Sequence, residues 1–532
     1  MLFKSIKQFF AIFLVFFSWQ CSAQFNQTVN LSELDGRDGF AIHGANEGDA
    51  SGFPVSHAGD VNGDGIDDVI IGAGGTDLDN TSNSGSGYVI FGSDSGFPHP
   101  LNLAAIDGDN GFVINGETTD DYAGEVLNGI GDINNDGFDD VIVAVPYADS
   151  NGNSATGSVY VVYGSADGPV HPFSLAHIDG DNGFVINGVN ESDYLASALS
   201  SAGDINGDAI DDFVLAASSA APNGNDRAGV SYVIFGSNNG FTHPYSLSSL
   251  NGDNGFVING VNENDRSGRS VSAAGDVNDD GFGDLIIGAP FTDLNGHADY
   301  GSSYVIFGSD STFPSPLNLS TIDGDNGFII NGLAHGDRLG TSVSAAGDIN
   351  DDGIDDVVIG APWTKPDGAT RTGSAYVVFG SDKEIPHPFD LSSIDGSNGV
   401  IIIGDSENDD FGESVSAAGD VNGDGINDVI IGAFRDFSGQ AGSAYAILGR
   451  RGVFPTPLNM STLESESGFE INGVAPYDYT GYSVSQAGDM NSDGFDDVII
   501  GAFGASPNGV SDAGSSFVVF GREKPIFANG FE

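Results

Sequence analysis

The chain has 532 residues, with 76 acidic against 15 basic side chains and a formal net charge of −61. This charge excludes a nucleic-acid-binding protein, because the phosphate backbone would be repelled. The single Cys excludes a disulfide framework, and no apolar stretch reaches the ~18 residues that would cross a membrane.

The first 23 residues have the three parts of a secretory signal peptide. Lys4 and Lys7 precede an apolar run over residues 9–17, and Cys21-Ser22-Ala23 offers a small-residue cleavage site. This order favours a signal peptide over a buried N-terminal helix. Attachment of a lipid to Cys21 is a second alternative. We therefore predict a signal peptide at residues 1–23 and a protein that is secreted, extracellular or at the cell surface.

The rest of the chain repeats one motif seven times. The motif begins with Asp60-Val61-Asn62-Gly63-Asp64-Gly65, and the later copies start at intervals of 72, 72, 72, 72, 72 and 69 residues. Such a regular period indicates that each copy is one structural unit. Between the motifs lie short β-branched and aromatic runs separated by Gly, Asn and Asp, which is typical of strands.

Each copy predicts four short strands. In the fourth copy they are Ser270–Gly275, Leu285–Pro290, Ser303–Gly308 and Gly327–Gly332. Seven units of four strands predict an all-β fold, a seven-bladed β-propeller of four-stranded antiparallel blades, over residues 24–524. A β-solenoid is the alternative, but its coils usually take only about 20–30 residues.

The ring is predicted to close through its N-terminal strand. The fourth-strand pattern appears once more within residues 38–44, and it does not follow the last third strand, Ser516 to Gly521. The strand at 38–44 should therefore complete the last blade, which protects an otherwise open sheet edge. Residues 525–532 form a C-terminal tail, which we interpret as a sorting or export tag, with a frayed terminus as the alternative.

Every copy carries a loop with side-chain oxygens at positions 1, 3, 5 and 9, counted from its first Asp. Position 6 is Gly in six copies, whereas Ala209 in the third copy must adopt a glycine-like conformation there. Alternating oxygens, with a backbone carbonyl at position 7, suit Ca²⁺ better than Mg²⁺. A metal-free Asx-turn hairpin is the alternative for any single copy. Seven intact copies favour up to seven calcium ions.

The predicted calcium ligands, copy by copy, are Asp60, Asn62, Asp64, Ile66 and Asp68; Asp132, Asn134, Asp136, Phe138 and Asp140; Asp204, Asn206, Asp208, Ile210 and Asp212; Asp276, Asn278, Asp280, Phe282 and Asp284; Asp348, Asn350, Asp352, Ile354 and Asp356; Asp420, Asn422, Asp424, Ile426 and Asp428; and Asp489, Asn491, Asp493, Phe495 and Asp497.

Two short motifs accompany the loop. One is Phe411-Gly412 followed by Ser414-Val415 and the loop from Asp420 to Asp428, and the other is Gly288-Ala289-Pro290, repeated as Gly360-Ala361-Pro362. Together they resemble the FG-GAP repeat of integrin alpha-subunit propellers and of many secreted bacterial proteins.

The resemblance covers about residues 38–521. Leu339-Gly340, Thr480-Gly481 and Ala196 depart from the Phe-Gly pair, and these changes affect packing and not metal ligands. All seven copies carry the loop, whereas the integrin family uses only some. The resemblance implies a Ca²⁺-stabilised propeller used for adhesion or ligand binding, without specifying the ligand.

The loops joining strands two to three and four to one should lie on the face opposite the metal loops, because adjacent strands run antiparallel. Seven basic residues lie in these loops: Arg227, Arg266, Arg269, Arg338, Lys365, Arg371 and Arg435. They are accompanied by four aromatic residues: Trp363, Tyr122, Tyr194 and Tyr479. Arginine and aromatic side chains are common binding anchors. We hypothesise that this face binds an extracellular protein or glycan, with scattered solvated charges as the alternative.

Two other recurrent residue types are interpreted as structural. An Asp precedes each first strand and is predicted to cap a turn; the seven are Asp49, Asp121, Asp193, Asp265, Asp337, Asp409 and Asp478. A His precedes proline in four linkers, and these residues are His99, His171, His243 and His387.

Catalysis needs a unique constellation of nucleophile, base or paired carboxylates, and every charged motif here is either repeated or isolated. We therefore expect a monomeric, non-enzymatic protein that acts in cell-surface adhesion or in ligand or glycan recognition. One alternative is a Ca²⁺-dependent polysaccharide lyase or hydrolase. The other is a passive surface or matrix protein without a specific ligand.

Overall fold

The computed structural model describes residues 28–78, 81–150, 153–166, 168–366, 368, 370–434 and 440–522. The predicted signal peptide, the C-terminal tail and Arg435 lie outside the described residues. Among the described residues, no helix is both long and apolar enough to cross a membrane.

The repeats fold into seven sheets, one for each blade of a β-propeller. The first strands line the centre: Val55–Gly59, Leu127–Gly131, Ala198–Gly203, Ser270–Gly275, Val343–Gly347, Val415–Gly419 and Val484–Gly488. The second strands are Asp68–Ala73, Asp140–Val145, Asp212–Ala217, Asp284–Ala289, Asp356–Ala361, Asp428–Ala433 and Asp497–Ala502. We number the blades 1 to 7 in this order.

The third strands are Ser86–Ile90, Ser158–Val162, Val230–Ile234, Ser302–Ile306, Ser374–Val378, Ser443–Ile447 and Ser515–Val519. The fourth strands of blades 1 to 6 are Gly111–Asn115, Gly183–Asn187, Gly255–Asn259, Gly327–Asn331, Gly399–Ile403 and Gly468–Asn472, and blade 7 uses Gly39–His43. These four strands are antiparallel in every blade, as predicted.

Second strands are buried along their whole length, which explains their continuous apolar sequence. All six residues of Asp68–Ala73 are buried, and the same holds for the other six copies. The core lies between neighbouring blades. Val55 and Ile71 of blade 1, for example, share one cluster with Phe40 and Val518 of blade 7. Each blade therefore buries its apolar faces against the next one, and a closed ring leaves no blade uncovered.

The predicted closure is confirmed. Gly39–His43 pairs antiparallel with Ser515–Val519, with Gly39 opposite Val519 and His43 opposite Ser515. The first strands of blades 1 and 7 also pack against each other in the central ring. The strand Gly39–His43 thus joins the beginning of the repeat array to its end.

The sheets differ from the prediction at their outer edge. Five of them carry a short extra strand, which runs parallel to a fourth strand. These strands are Thr28–Asn30, Leu101–Asn102, Phe173–Ser174, Leu317–Asn318 and Leu458–Asn459. Blades 2 and 4 instead have single parallel bridges, Ile186 to Tyr245 and Ile330 to Phe389. Strands of two or three residues are too short to show a hydrophobic period in the sequence.

Short 3₁₀ turns complete the described structure. They lie at Leu31–Glu33, Leu103–Ala105, Leu175–His177, Pro222–Gly224, Leu247–Ser249, Leu319–Thr321, Leu391–Ser393, Met460–Thr462 and Pro507–Gly509.

Candidate functional site

Each predicted metal loop is folded around its first carboxylate. In the first copy, Asp60 Oδ1 accepts hydrogen bonds from the backbone N–H groups of Gly63 at 2.7 Å and Asp64 at 3.0 Å. Asp60 Oδ2 accepts from the N–H of Gly65 at 2.8 Å, and Asp64 Oδ1 from that of Ile66 at 3.0 Å. All seven copies repeat the bond from position 6 to the first carboxylate. The loop backbone is therefore wrapped around the carboxylate at position 1.

Position 6 requires the left-handed backbone conformation, as predicted. Gly65 has φ +85° and Ala209 has φ +64°. An L-residue with a Cβ pays a steric cost in this region, which glycine avoids. The third copy thus accepts local strain to keep the same loop.

Position 9 links the loop to the end of the third strand. Asp68 is fully buried; its Oδ2 accepts a hydrogen bond from the N–H of Val61 at 3.0 Å and its Oδ1 from that of Gly92 at 2.8 Å. Burial raises the pKa of Asp68 to about 8, and the nearby carboxylates of Asp64 and Asp60 add to the shift. A bound cation would offset both effects by stabilising the ionised carboxylate.

The donor set fits a hard cation. In the described part of the chain, the buried Oδ1 atoms of Asn134, Asn422 and Asn491 have no hydrogen-bond partner. All three occupy position 3, and a buried oxygen without a partner is costly unless something binds it. No group of three or more His, Cys, Asp or Glu side chains among the described residues is arranged to hold a metal ion. Calcium at these loops therefore stays a prediction, carried by a mixed set of Asp, Asn and carbonyl oxygens.

A contact that the sequence analysis missed joins each loop to the next blade. Asp139, at position 8 of the second copy, accepts a hydrogen bond through Oδ2 from the backbone N–H of Asp60 at 2.7 Å. The same contact occurs at six of the seven junctions. At the remaining junction position 8 is Gly283, whose own N–H donates to the carbonyl of Asp204 at 3.0 Å. Position 8 is Asp in five of these six copies and Asn427 in the other, and this recurrence was the available signal.

The opposite face brings several predicted basic and aromatic residues together. The guanidinium carbon of Arg338 lies 3.5 Å from the ring centre of Trp363, and that of Arg371 lies 4.7 Å from the same ring. Arg338 and Arg266 also lie over the ring of Phe291, at 4.9 and 5.3 Å. Guanidinium groups on an indole or phenyl face are attracted by the ring quadrupole. We call Arg338, Arg371 and Trp363 the arginine–tryptophan cluster.

A cavity of about 570 Å³ opens at this cluster. It is also lined by Arg269, Glu413 and Tyr479. Its size is typical of small-molecule sites. Other predicted residues lie elsewhere: Arg227 is exposed, and Tyr122 and Tyr194 flank Tyr147, with ring centres 5.5 and 5.9 Å from it.

The recurrent Asp and His residues have structural contacts. Asp49 accepts through Oδ2 from the N–H of Asn46 at 2.9 Å, and Asp265, Asp337 and Asp478 make the same turn-capping bond. The linker residue His99 accepts through Nδ1 from the N–H of Ala41 at 3.2 Å. His243 makes the same contact with the N–H of Val185 at 3.3 Å. These contacts confirm the capping interpretation for the four Asp residues and give two of the His residues a role between blades.

Five segments of the chain match the family described as FG-GAP repeat: residues 55–90, 128–162, 267–306, 339–378 and 411–447. The chain contains FG-GAP repeats. The matched segments fall in blades 1, 2, 4, 5 and 6, and the structure shows that blades 3 and 7 have the same four-stranded core.

This FG-GAP repeat protein is similar to parts of larger proteins. It is 33% identical to integrin alpha pat-2 of Caenorhabditis elegans over 273 residues, which cover 48% of the chain and 19% of that protein. It is 29% identical to the phosphatidylinositol-glycan-specific phospholipase D of Rattus norvegicus over 215 residues, 40% of the chain and 24% of that protein. The aligned parts thus span about a quarter or less of these relatives.

Proposed function

We propose that this FG-GAP repeat protein is a secreted, calcium-binding propeller that acts in cell-surface adhesion by recognising an extracellular protein or glycan. The observation that carries the proposal is that the two faces of the propeller present different kinds of side chain. One face presents seven loops with the same oxygen donors, and the other gathers arginine and aromatic side chains around one cavity. The similarity to integrin alpha subunits supports a role in adhesion.

Calcium would act here as a structural ion. Each loop holds three Asp residues at positions 1, 5 and 9, and these like charges repel one another when no cation is bound. Ion binding would neutralise most of this charge at the blade junctions, where position 8 already ties neighbouring loops together. The ligand-binding face would then depend on calcium indirectly, through the rigidity of the ring.

The described structure offers little support for catalysis. A Ser–His hydrogen bond joins Ser515 Oγ and His43 Nδ1 at 3.1 Å. It occupies the strand position at which other blades pair Ser with Asn, as Ser86 does with Asn115 at 3.0 Å. The contact is therefore a variant of a repeated strand contact. The match to phosphatidylinositol-glycan-specific phospholipase D involves only 24% of that protein, and we propose a non-enzymatic role for this chain.

A binding experiment tests this function. Labelled protein is applied to a glycan array and to intact cells, first in calcium, then with a chelator, then with calcium restored. The proposal predicts specific binding that disappears with chelation and returns with calcium. Absence of any specific binding would favour a passive matrix protein, and turnover of a polysaccharide panel would favour an enzyme.

A further inference from the structure

The cavity beside the arginine–tryptophan cluster concentrates positive charge on an acidic protein. Its lining contains three arginines, Arg269, Arg338 and Arg371, against two carboxylates, Asp410 and Glu413. The whole chain, by contrast, carries a formal charge of −61. A local excess of arginine on such a background needs a reason, because isolated surface charges would be distributed more evenly.

The arginines of the cluster are held in place by their neighbours. The rings of Trp363 and Phe291 support Arg338, and Asp299 accepts a hydrogen bond from its Nη2 at 3.4 Å. Arg371 pairs with Asp410 at 2.8 Å and also lies over Trp363. Both guanidinium groups are therefore held by an aromatic ring and an ion pair. Cationic groups that are positioned in advance lose little entropy when they bind an anion.

The protonation state of Glu413 affects the net charge of the cavity. Burial raises the pKa of Glu413 to about 7, against the opposing effects of Arg269, Arg338 and Arg371. Near neutral pH part of the population therefore carries a neutral acid here. A neutral acid can donate a hydrogen bond, and it repels an incoming anion less than a carboxylate would.

The cavity combines three kinds of partner. Guanidinium groups bind a carboxylate in a bidentate manner. The aromatic residues Tyr479, Tyr482 and Phe434 offer apolar faces for a ring, and the carboxyl group of Glu413 can form a hydrogen bond with a hydroxyl group. Building on the proposed function, we propose that this cavity binds a sugar acid, with its carboxylate on Arg338 and Arg371 and its ring against the aromatic residues.

The charge of the whole protein restricts which sugar acids can enter. Repulsion from distant carboxylates is screened over about 8 Å at physiological ionic strength, so it acts only weakly on a single anion that is already at the cavity. A polyanion lying across the acidic surface would be repelled at many points. A free sugar acid or the terminal residue of a polysaccharide therefore fits the site.

Titration calorimetry of the calcium-loaded protein tests the inference. The probes are D-glucuronate, D-galacturonate and N-acetylneuraminate, and the methyl ester of galacturonic acid is the uncharged control. At least one acid should bind and the ester should not. Arg371→Gln should weaken binding at least tenfold, or by about 1.4 kcal/mol or more, because a charged hydrogen bond is lost. Arg227→Gln removes the same charge from an exposed site on the same face and should change affinity less than twofold.

Binding of none of the three acids, equal binding of the ester, or unchanged binding by Arg371→Gln would overturn the inference. If Arg371→Gln does not fold, as judged by circular dichroism, Arg338→Gln replaces it. An oligogalacturonate that binds more tightly than galacturonate would identify a polymer end as the source, and equal affinities would identify the free acid. Chelator-sensitive binding to cells that no sugar acid inhibits would refute this cavity while leaving the proposed function intact.

Discussion

The carboxylate of Asp67 in blade 1 accepts a hydrogen bond, through Oδ2, from the backbone N–H of Asp489 in blade 7 at 2.8 Å. Asp67 is also fixed by His57, whose Nε2 lies 3.2 Å from its Oδ1, and this hydrogen bond lowers the pKa of Asp67. The ring is thus closed twice, once in the sheet of blade 7 by the strand Gly39–His43 and once beside the predicted metal loops by this contact.

Replacing Asp67 tests the closing contact on the loop face. Asp67→Ala should lower the free energy of unfolding by on the order of 1–2 kcal/mol, because the N–H of Asp489 loses a charged acceptor. Asp94→Ala removes an exposed carboxylate of the same blade and should have little effect. Chemical denaturation in calcium measures both. Equal stability of the two variants would show that the contact contributes nothing to closure.

A pair of substitutions tests the backbone conformation at position 6. Gly65→Ala should cost about 1–2 kcal/mol, because it places a Cβ at φ +85° although the surrounding space is open. Ala209→Gly relieves the same strain in the folded state. Glycine also increases the conformational entropy of the unfolded chain, which lowers the free energy of unfolding by about 0.4–1 kcal/mol. The stability of Ala209→Gly should therefore be unchanged or slightly higher. Thermal melts measure both variants. A melting temperature that falls for Ala209→Gly and does not fall for Gly65→Ala would contradict the assignment of strain to the third loop.

The raised pKa of Glu413 predicts a specific pH dependence. Since the pKa is about 7 in the folded protein and about 4.3 in an unfolded chain, the folded state binds more protons between these values. Stability is then lost as the pH rises through this window. Glu413→Gln removes this loss, so the variant should gain about 3 kcal/mol over wild type at pH 8 and almost nothing at pH 4.

Five charged or titratable groups interact with Glu413, and both proteins in this comparison retain them. They are Arg269, Arg338, Arg371, Asp410 and Tyr482. The exposed Glu263→Gln serves as control and should show no pH-dependent difference. Denaturation midpoints at the two pH values give the result. A difference between wild type and Glu413→Gln that does not change with pH would contradict the raised pKa.

Much of the fold could be predicted from the sequence because the same motif and strand pattern occur in every repeat. The period of the loop motif, the apolar second strands and the surplus strand at Gly39–His43 each predicted a feature that the structure shows. The parallel edge strands could not be predicted, because pairs such as Leu101–Asn102 carry no periodic signal and depend on a neighbouring blade.

The candidate sites were predictable to different degrees. The oxygens of the predicted metal loop lie close together in sequence, so their spacing alone predicted a cation site. The arginine–tryptophan cluster was suggested only by composition. Trp363 and Arg371 lie in one loop of blade 5, and Arg338, in the connection from blade 4 to blade 5, meets them only through packing. The contact of Asp139 with Asp60 spans two copies of the repeat and needed the structure to be seen.

Calcium binding measured together with thermal stability tests the central claim most directly. We expect up to seven ions per chain, with dissociation constants of roughly 10⁻⁴–10⁻³ M. Ten to a hundred times that concentration would stabilise the folded state by about 1.4–2.7 kcal/mol per site, so the melting temperature should fall by many degrees in chelator. No bound calcium, together with the same melting temperature in chelator and in excess calcium, would contradict it.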